Sequence, residues 1–305
     1  METGKEKGGI PMSLTAHLFR FTASRNDRKR DEGLTAPEEI FRFDNIPYGP
    51  DPWWHLLDIY RPRDAEGKIP VIIDVHGGGW VYGDKVLYSH YCMDMARRGF
   101  AVVNFNYRLA PRNRFPAGFE DMNDAVRFTL EHGEEYGLDL RNVFLVGDSA
   151  GAHMAAMYAC MCADPEYAAR FPFTLPEDFM PRAAVFNCGI YDMGVALLQG
   201  KSSRDLMHDL MGHRIRDEEV ELLSPARHVT ADFPPCYVMT ATGDFLRTQP
   251  EYFLPVLEEQ GIEHTCKLWG TEEEKLLHVF HLDLRKPESA ACNDEEAAFL
   301  RRHIR

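Results

Sequence analysis

The sequence predicts an α/β fold: a mostly parallel sheet of eight strands with helices on both faces and a small helical cap. Three observations carry that prediction. From about Phe41 onward, short β-branched or apolar runs alternate with longer amphipathic stretches, the pattern of strands joined by crossover helices. Runs such as Val71-Ile72-Ile73-Asp74-Val75 and Ala101-Val102-Val103-Asn104-Phe105 are almost continuously apolar, as suits central strands covered on both faces. Two glycine-containing turns stand directly behind such runs, where open α/β sheets place their ligands.

Taken in order, strands are expected at 41–47, 55–60, 71–76, 101–107, 143–147, 183–188, 236–241 and 264–269, the first two as an antiparallel edge. Helices fit 88–98, 120–136, 150–163 and 250–260. A last one runs from 294 to the C-terminus, with Asn293 as its N-cap and acids in its first turn. Residues 1 to about 40 and 191–233 interrupt the alternation and are read as cap elements of a single domain spanning 1–305. A structureless loop of the second length would be unusual in a compact domain, so helices are expected near 205–211 and 217–223.

Composition narrows the function. A chain of 305 residues, 45% hydrophobic, can bury a large core, and a formal net charge of −14 argues against nucleic acid as a partner, because phosphate binding needs a Lys/Arg excess. The one basic cluster, Arg25, Arg28, Lys29 and Arg30, reads as a solvated face. No stretch has the length of a membrane span or the pattern of a secretory leader, so a cytoplasmic protein is expected. Seven cysteines are scattered through apolar-looking segments without disulfide or zinc spacing and read as free thiols. The Cys160-x-Cys162 pair points to two faces of a helix, and no metal or cofactor is expected.

The chemistry lies in the turns. Gly147-Asp148-Ser149-Ala150-Gly151 sits between the apolar run Asn142 to Val146 and a helical Ala/Met run, the setting of a strained strand-to-helix turn that exposes a nucleophilic serine. His76-Gly77-Gly78-Gly79-Trp80 follows another strand and can aim backbone N–H groups at the oxyanion of a tetrahedral intermediate. Gly77 and Gly78 are taken as donors with Ala150 as the third, His76 as a brace for the loop, and Trp80 as a substrate-binding residue at the pocket edge. The serine needs a base and the base needs a carboxylate. Asp244 in Thr242-Gly243-Asp244 follows a strand at the carboxyl edge of the sheet; His278 is the favoured base and His281 its competitor.

These motifs resemble those of the hormone-sensitive-lipase-like branch of the α/β-hydrolase esterases, in which H-G-G-G and G-D-S-A-G recur. Leu57-Asp58-Ile59-Tyr60-Arg61-Pro62, Tyr107-Arg108-Leu109-Ala110-Pro111 with Phe115-Pro116-Ala117, and Ser224-Pro225 extend the likeness over roughly residues 43–282. The resemblance implies cofactor-free hydrolysis of short- to medium-chain acyl esters, with a cap built from the N-terminal segment and the 191–233 insertion. Three departures stand out: Ala152 where glycine often recurs, Val279 after the histidine where glycine is common, and a longer span from Asp244 to His278. An arylformamidase-like amidase and a carbohydrate acetyl or feruloyl esterase share this chemistry, and a non-catalytic small-molecule-binding protein shares the scaffold. The sequence leaves a homodimer open.

Overall fold

The computed structural model describes residues 12–305; the part of the expected N-terminal cap element at 1–11 lies outside the described residues. Eight strands form one sheet: β1 (Ile40–Pro47), β2 (Leu56–Pro62), β3 (Ile69–Val75), β4 (Ala101–Phe105), β5 (Leu138–Asp148), β6 (Ala184–Asn187), β7 (Cys236–Ala241) and β8 (His264–Trp269). Their order is β1-β2-β4-β3-β5-β6-β7-β8. β2 runs antiparallel to both β1 and β4, and every pairing from β4 to β8 is parallel. All eight expected strands are present, with β5 beginning five residues earlier than its apolar run because Leu138 and Asp139 pair with Ile69 and Pro70 before the register shifts.

The helices are α1 (Leu14–Asp31), α2 (Ser89–Arg97), α3 (Ala117–His132), α4 (Ala150–Ala163), α5 (Pro165–Ala168), α6 (Met193–Leu198), α7 (Lys201–Met211), α8 (Asp217–Leu222), α9 (Pro250–Glu259) and α10 (Pro287–Arg302). Period-2 alternation is hidden inside the apolar strands. Val71, Ile73, Val103 and Leu145 join the core beneath α3, α4 and α9, whereas Ile72, Val102, Phe144 and Val146 join the core beneath α2 and α10. α4 is buried along nearly its whole surface, as a helix apolar all round must be. No described helix is long and apolar enough to cross a membrane.

Two expectations need correction. The last helix starts at Pro287, whose missing N–H suits a first helical position, so Asn293 is not its N-cap. Asn293 is instead buried within α10, where Nδ2 donates to Asp94 Oδ2 at 2.9 Å and to the carbonyl of His281 at 3.3 Å. The basic cluster is not simply solvated: Arg30 is mostly buried, pairs with Asp27 and Asp31, and donates to the Leu87 carbonyl at 2.7 Å. All seven cysteines are free, as expected, and Cys266 on edge strand β8 is exposed.

The helices α1, α6, α7 and α8, from the two segments expected to form a cap, pack together. Ser13 caps α1 and donates through its hydroxyl to Asp209 on α7 at 2.6 Å, and Thr15 hydrogen-bonds Asp205. Farther along, Arg20 donates to the carbonyl of Val81 at 2.5 Å, Asp27 accepts from Tyr82 at 2.8 Å, and the Lys29 carbonyl accepts from Arg285 at 3.1 Å. α1 is thus strapped from the insertion helices to the segment before α10, across the carboxyl edge of the sheet.

A buried acidic group sits on the α2/α10 side. Glu296 is fully buried and accepts from Tyr91 at 2.9 Å and the Cys292 thiol at 3.3 Å; desolvation pushes its carboxyl up to about 7. The folded protein therefore keeps a proton that the unfolded chain releases near the usual carboxylate range. The stability tied to that proton is full below the unfolded value and is lost as pH rises toward 7. Glu296→Gln should melt above the parent at pH 8, with the gap closing by pH 5, as thermal scans would read; an equal gap at both pH values would contradict this origin.

Candidate active site

Ser149 occupies the single residue between β5 and α4, at φ 52° and ψ −117°. Such a conformation is costly for a residue with a side chain and persists only where its surroundings fix it. Here the fixing is steric. A Cβ on Gly151 would collide with the carbonyl oxygen of Val75, so only glycine lets the first turn of α4 press against the end of β3. The Ser149 N–H donates to the Asn187 carbonyl at 2.8 Å, which ties the turn to β6 as well.

The other two residues of the constellation arrive from loops beyond β7 and β8. Asp244 is buried; its Oδ1 accepts from Leu246 N–H at 2.8 Å and from His278 Nδ1 at 2.7 Å, and its Oδ2 accepts from Thr240 at 3.0 Å. Burial pushes this carboxyl up, but His278 and the Leu246 N–H outweigh it and hold it below the usual carboxylate value. With the Nδ1 proton engaged, Nε2 of His278 is left to accept, and it lies 2.9 Å from Ser149 Oγ. The structure thus brings Ser149, His278 and Asp244 into one hydrogen-bonded line.

His281 is not an alternative. It is buried against the edge of the Tyr91 ring, and desolvation lowers its pKa to about 3. His278 is itself steadied by the Phe245 ring at 4.4 Å and by Val279, whose N–H donates to the Cys188 thiol at 3.4 Å. Val279 adopts φ 52° and ψ 35°, which explains why glycine would be the easier choice there and shows that this chain tolerates a β-branched side chain in the left-handed region. Cys188, Asp244 and His278 hold their ligand atoms within 4.8 Å of one another. The hydrogen bond between the last two already engages atoms a cation would need.

The glycine turn requires one revision. Gly77 does not present a free donor, because its N–H donates to the Tyr88 hydroxyl at 2.9 Å. Gly78, at φ 114°, folds so tightly that a Cβ would strike the Tyr82 carbonyl. Among the described residues, the N–H groups of Gly78, Gly79 and Ala150 have no acceptor, and all three residues line the same cavity as Ser149 and His278. His76 is the expected brace: it is fully buried, stacks on Tyr107 with centroids 4.0 Å apart, and meets the Gly77 carbonyl through Nδ1 at 2.8 Å. Desolvation lowers its pKa to about 4, so it stays neutral. Trp80 lines the cavity, at φ 61°, with its ring edge-on to His153.

Tyr88 and the particular side chains that α1 brings to the cavity were not foreseen, although the N-terminal segment was expected in the cap. Tyr88 receives the Gly77 N–H and stabilises the neighbouring Asp148 carboxylate, whose burial raises its pKa to about 6. α1 supplies Phe19, Asn26 and Lys29 to the cavity wall. Neither had a motif: Tyr88 acts through a contact made only in three dimensions, and α1 is polar on average.

An eight-stranded sheet of this order, with a serine at a β5–α4 elbow, defines an α/β-hydrolase. Known structures agree. Esterase B from Lactobacillus rhamnosis is 26% identical, covers 94% of this chain and 93% of its own, and superposes with a TM-score of 0.86. An esterase from Gibberella moniliformis is 29% identical over 84% of this chain and 81% of its own length. The probable carboxylic ester hydrolase LipM of Mycobacterium tuberculosis is 31% identical over 71% of this chain, which spans only 50% of LipM. Residues 57–248 match the model of the BD-FAE family, and the chain belongs to that family.

Tyr88→Phe tests the brace. Removing the hydroxyl leaves the buried Gly77 N–H without an acceptor, a loss of about 1–3 kcal/mol. If that strain is felt in the glycine turn, kcat for an acyl ester should fall about tenfold while KM changes less than about twofold. Unchanged kcat in a folded variant would show that Tyr88 only fills space.

Proposed function

We propose that this chain is a serine carboxylesterase of short- to medium-chain acyl esters, with Ser149 as nucleophile, His278 as general base and then acid, and Asp244 as its orienting carboxylate. The observation that carries the reading is the unbroken line from Ser149 Oγ to His278 Nε2 and from His278 Nδ1 to Asp244 Oδ1, at 2.9 and 2.7 Å. His278 takes the serine proton as Oγ attacks the ester carbonyl. The alcohol leaves with that proton, and water activated by the same histidine then cleaves the acyl-enzyme. Gly78, Gly79 and Ala150 are the proposed oxyanion donors, so Gly79 replaces Gly77 in the role read from sequence.

The cavity supports an ester substrate of some length. Its volume is about 690 Å³, with Met193, Leu197, Leu206 and Met207 of the cap and Trp80 among its lining residues. Esterase B from Lactobacillus rhamnosis, described above, has been solved with a tributyrin phosphonate inhibitor. In this reading 1–305 works as one hydrolase unit with α1 and α6 to α8 as its cap. A cytoplasmic setting is supported by the seven free cysteines. β1 and β8 are the two edge strands of the sheet, each open on one side to edge-to-edge pairing in a homodimer.

Hydrolysis of p-nitrophenyl acetate, butyrate, octanoate and laurate tests the proposal directly. Turnover should peak at the shorter chains, and Ser149→Ala should lower kcat by at least about 10⁴. Equal rates in parent and variant would remove Ser149 from the mechanism. Formanilides and acetylated sugars assayed beside these esters would expose an amidase or carbohydrate esterase by a higher kcat/KM.

A further inference from the structure

The cavity changes character along α1. At one end Phe19 stands beside Gly79 and Leu206, and Met193, Leu197 and Met207 complete an apolar wall. Ten residues farther along α1, a rise of about 15 Å, the lining becomes Lys29, Arg30, Arg285 and Lys286. The Lys29 carbonyl accepts from Arg285, so the two segments meet there.

The acids at that end are already engaged. Asp27 pairs with Arg30 and accepts from Tyr82, Asp283 pairs with Arg285, and Asp148 lies against Tyr88. Lys29 and Lys286 have no acidic partner among the described residues. Lys29, an exposed residue, and Lys286, a half-buried one, are two uncompensated lysines among the lining residues of one cavity, on a chain whose formal net charge is −14. They favour an anion there by short-range attraction that the protein's overall charge opposes only at longer range.

The direction of the substrate follows from the chemistry. When the tetrahedral intermediate collapses, the bond from carbonyl carbon to alcohol oxygen breaks and the proton on His278 Nε2 passes to that oxygen, so the alcohol half leaves on the His278 side. The chain running on from His278, through the turn Phe280–Leu282, carries Arg285 and Lys286. The acyl half then faces the apolar wall.

We propose that the site prefers esters with an apolar acyl half and an alcohol half bearing an anionic group, a carboxylate or phosphate held by Lys29 and Lys286; this rests on the esterase reading above.

The test compares 3-(butanoyloxy)benzoate with its neutral isostere 3-(butanoyloxy)benzamide, and both with monophenyl succinate, whose charge lies on the acyl half. The benzoate should exceed the benzamide in kcat/KM by about tenfold. That ratio should fall about fivefold in Lys29→Gln and in Lys286→Gln, the scale of a solvent-exposed ion pair, and should shrink as salt is raised. Lys68→Gln, which removes a surface lysine paired with Glu134, should leave the ratio unchanged. A ratio near one, a ratio unmoved by either variant, or a preference for monophenyl succinate would overturn the proposal.

Failure to hydrolyse even the benzamide ester would instead count against the esterase reading itself. Inhibition of benzamide-ester hydrolysis by 3-hydroxybenzoate and by phenyl phosphate tells carboxylate from phosphate. Stronger inhibition by either, weakened in the Lys29→Gln/Lys286→Gln double variant, supports the site, and no inhibition by either overturns it.

Discussion

The close approach of α4 to the end of β3, permitted at Gly151 by the absence of a side chain, is the contact on which the site depends. It sets the elbow that holds Ser149 at positive φ, and it brings that elbow against the turn that follows β3. Ala150, at the start of α4, Gly78 and Gly79 therefore line one cavity. A side chain at 151 would push Ser149 away from two of the three candidate oxyanion donors. Preorganised donors are worth having only if they do not move during the reaction, and here a backbone-to-backbone contact supplies that rigidity.

Electrostatics divides the molecule into two settings. Asp244, although buried, is kept ionised by a histidine and a backbone N–H, which suits a group that must stabilise an imidazolium. Asp148 and Glu296, also buried, lack such cationic partners at bonding distance and have raised pKa values, to about 6 and about 7. The same residue class is thus held charged at the reacting centre and partly neutral in the supporting layers. His76 and His281 follow the same rule from the other side, since desolvation leaves them uncharged.

The central strands were legible because a parallel sheet buried on both faces demands apolar runs, and the runs of β3 to β7 announce themselves, whereas edge strand β8 has no buried residue. Ser149 and Asp244 were legible because each follows such a run at the carboxyl edge, and His278 because it lies in an apolar stretch beyond the last expected strand. Gly77 was misread because sequence cannot tell which of three consecutive glycines spends its N–H on Tyr88. Asn293 looked like a cap because acids follow it, while the proline that starts the helix lies six residues earlier. The course of α1 was hidden for a different reason: Leu14, Leu18 and Phe21 are exposed, and the helix is held largely by polar ties from Ser13, Arg20, Asp27 and Arg30. Such a helix carries no apolar stripe to read.

The central claim is that Ser149 becomes covalently acylated with His278 as its base. Incubation with a p-nitrophenyl alkylphosphonate, followed by intact-mass measurement and peptide mapping, tests it most directly. One equivalent of phosphonate on Ser149 is expected, with release of one p-nitrophenol and matching loss of esterase activity, and with labelling slowed severely in His278→Ala. Complete inactivation with the label on another residue, or undiminished labelling without His278, would contradict it.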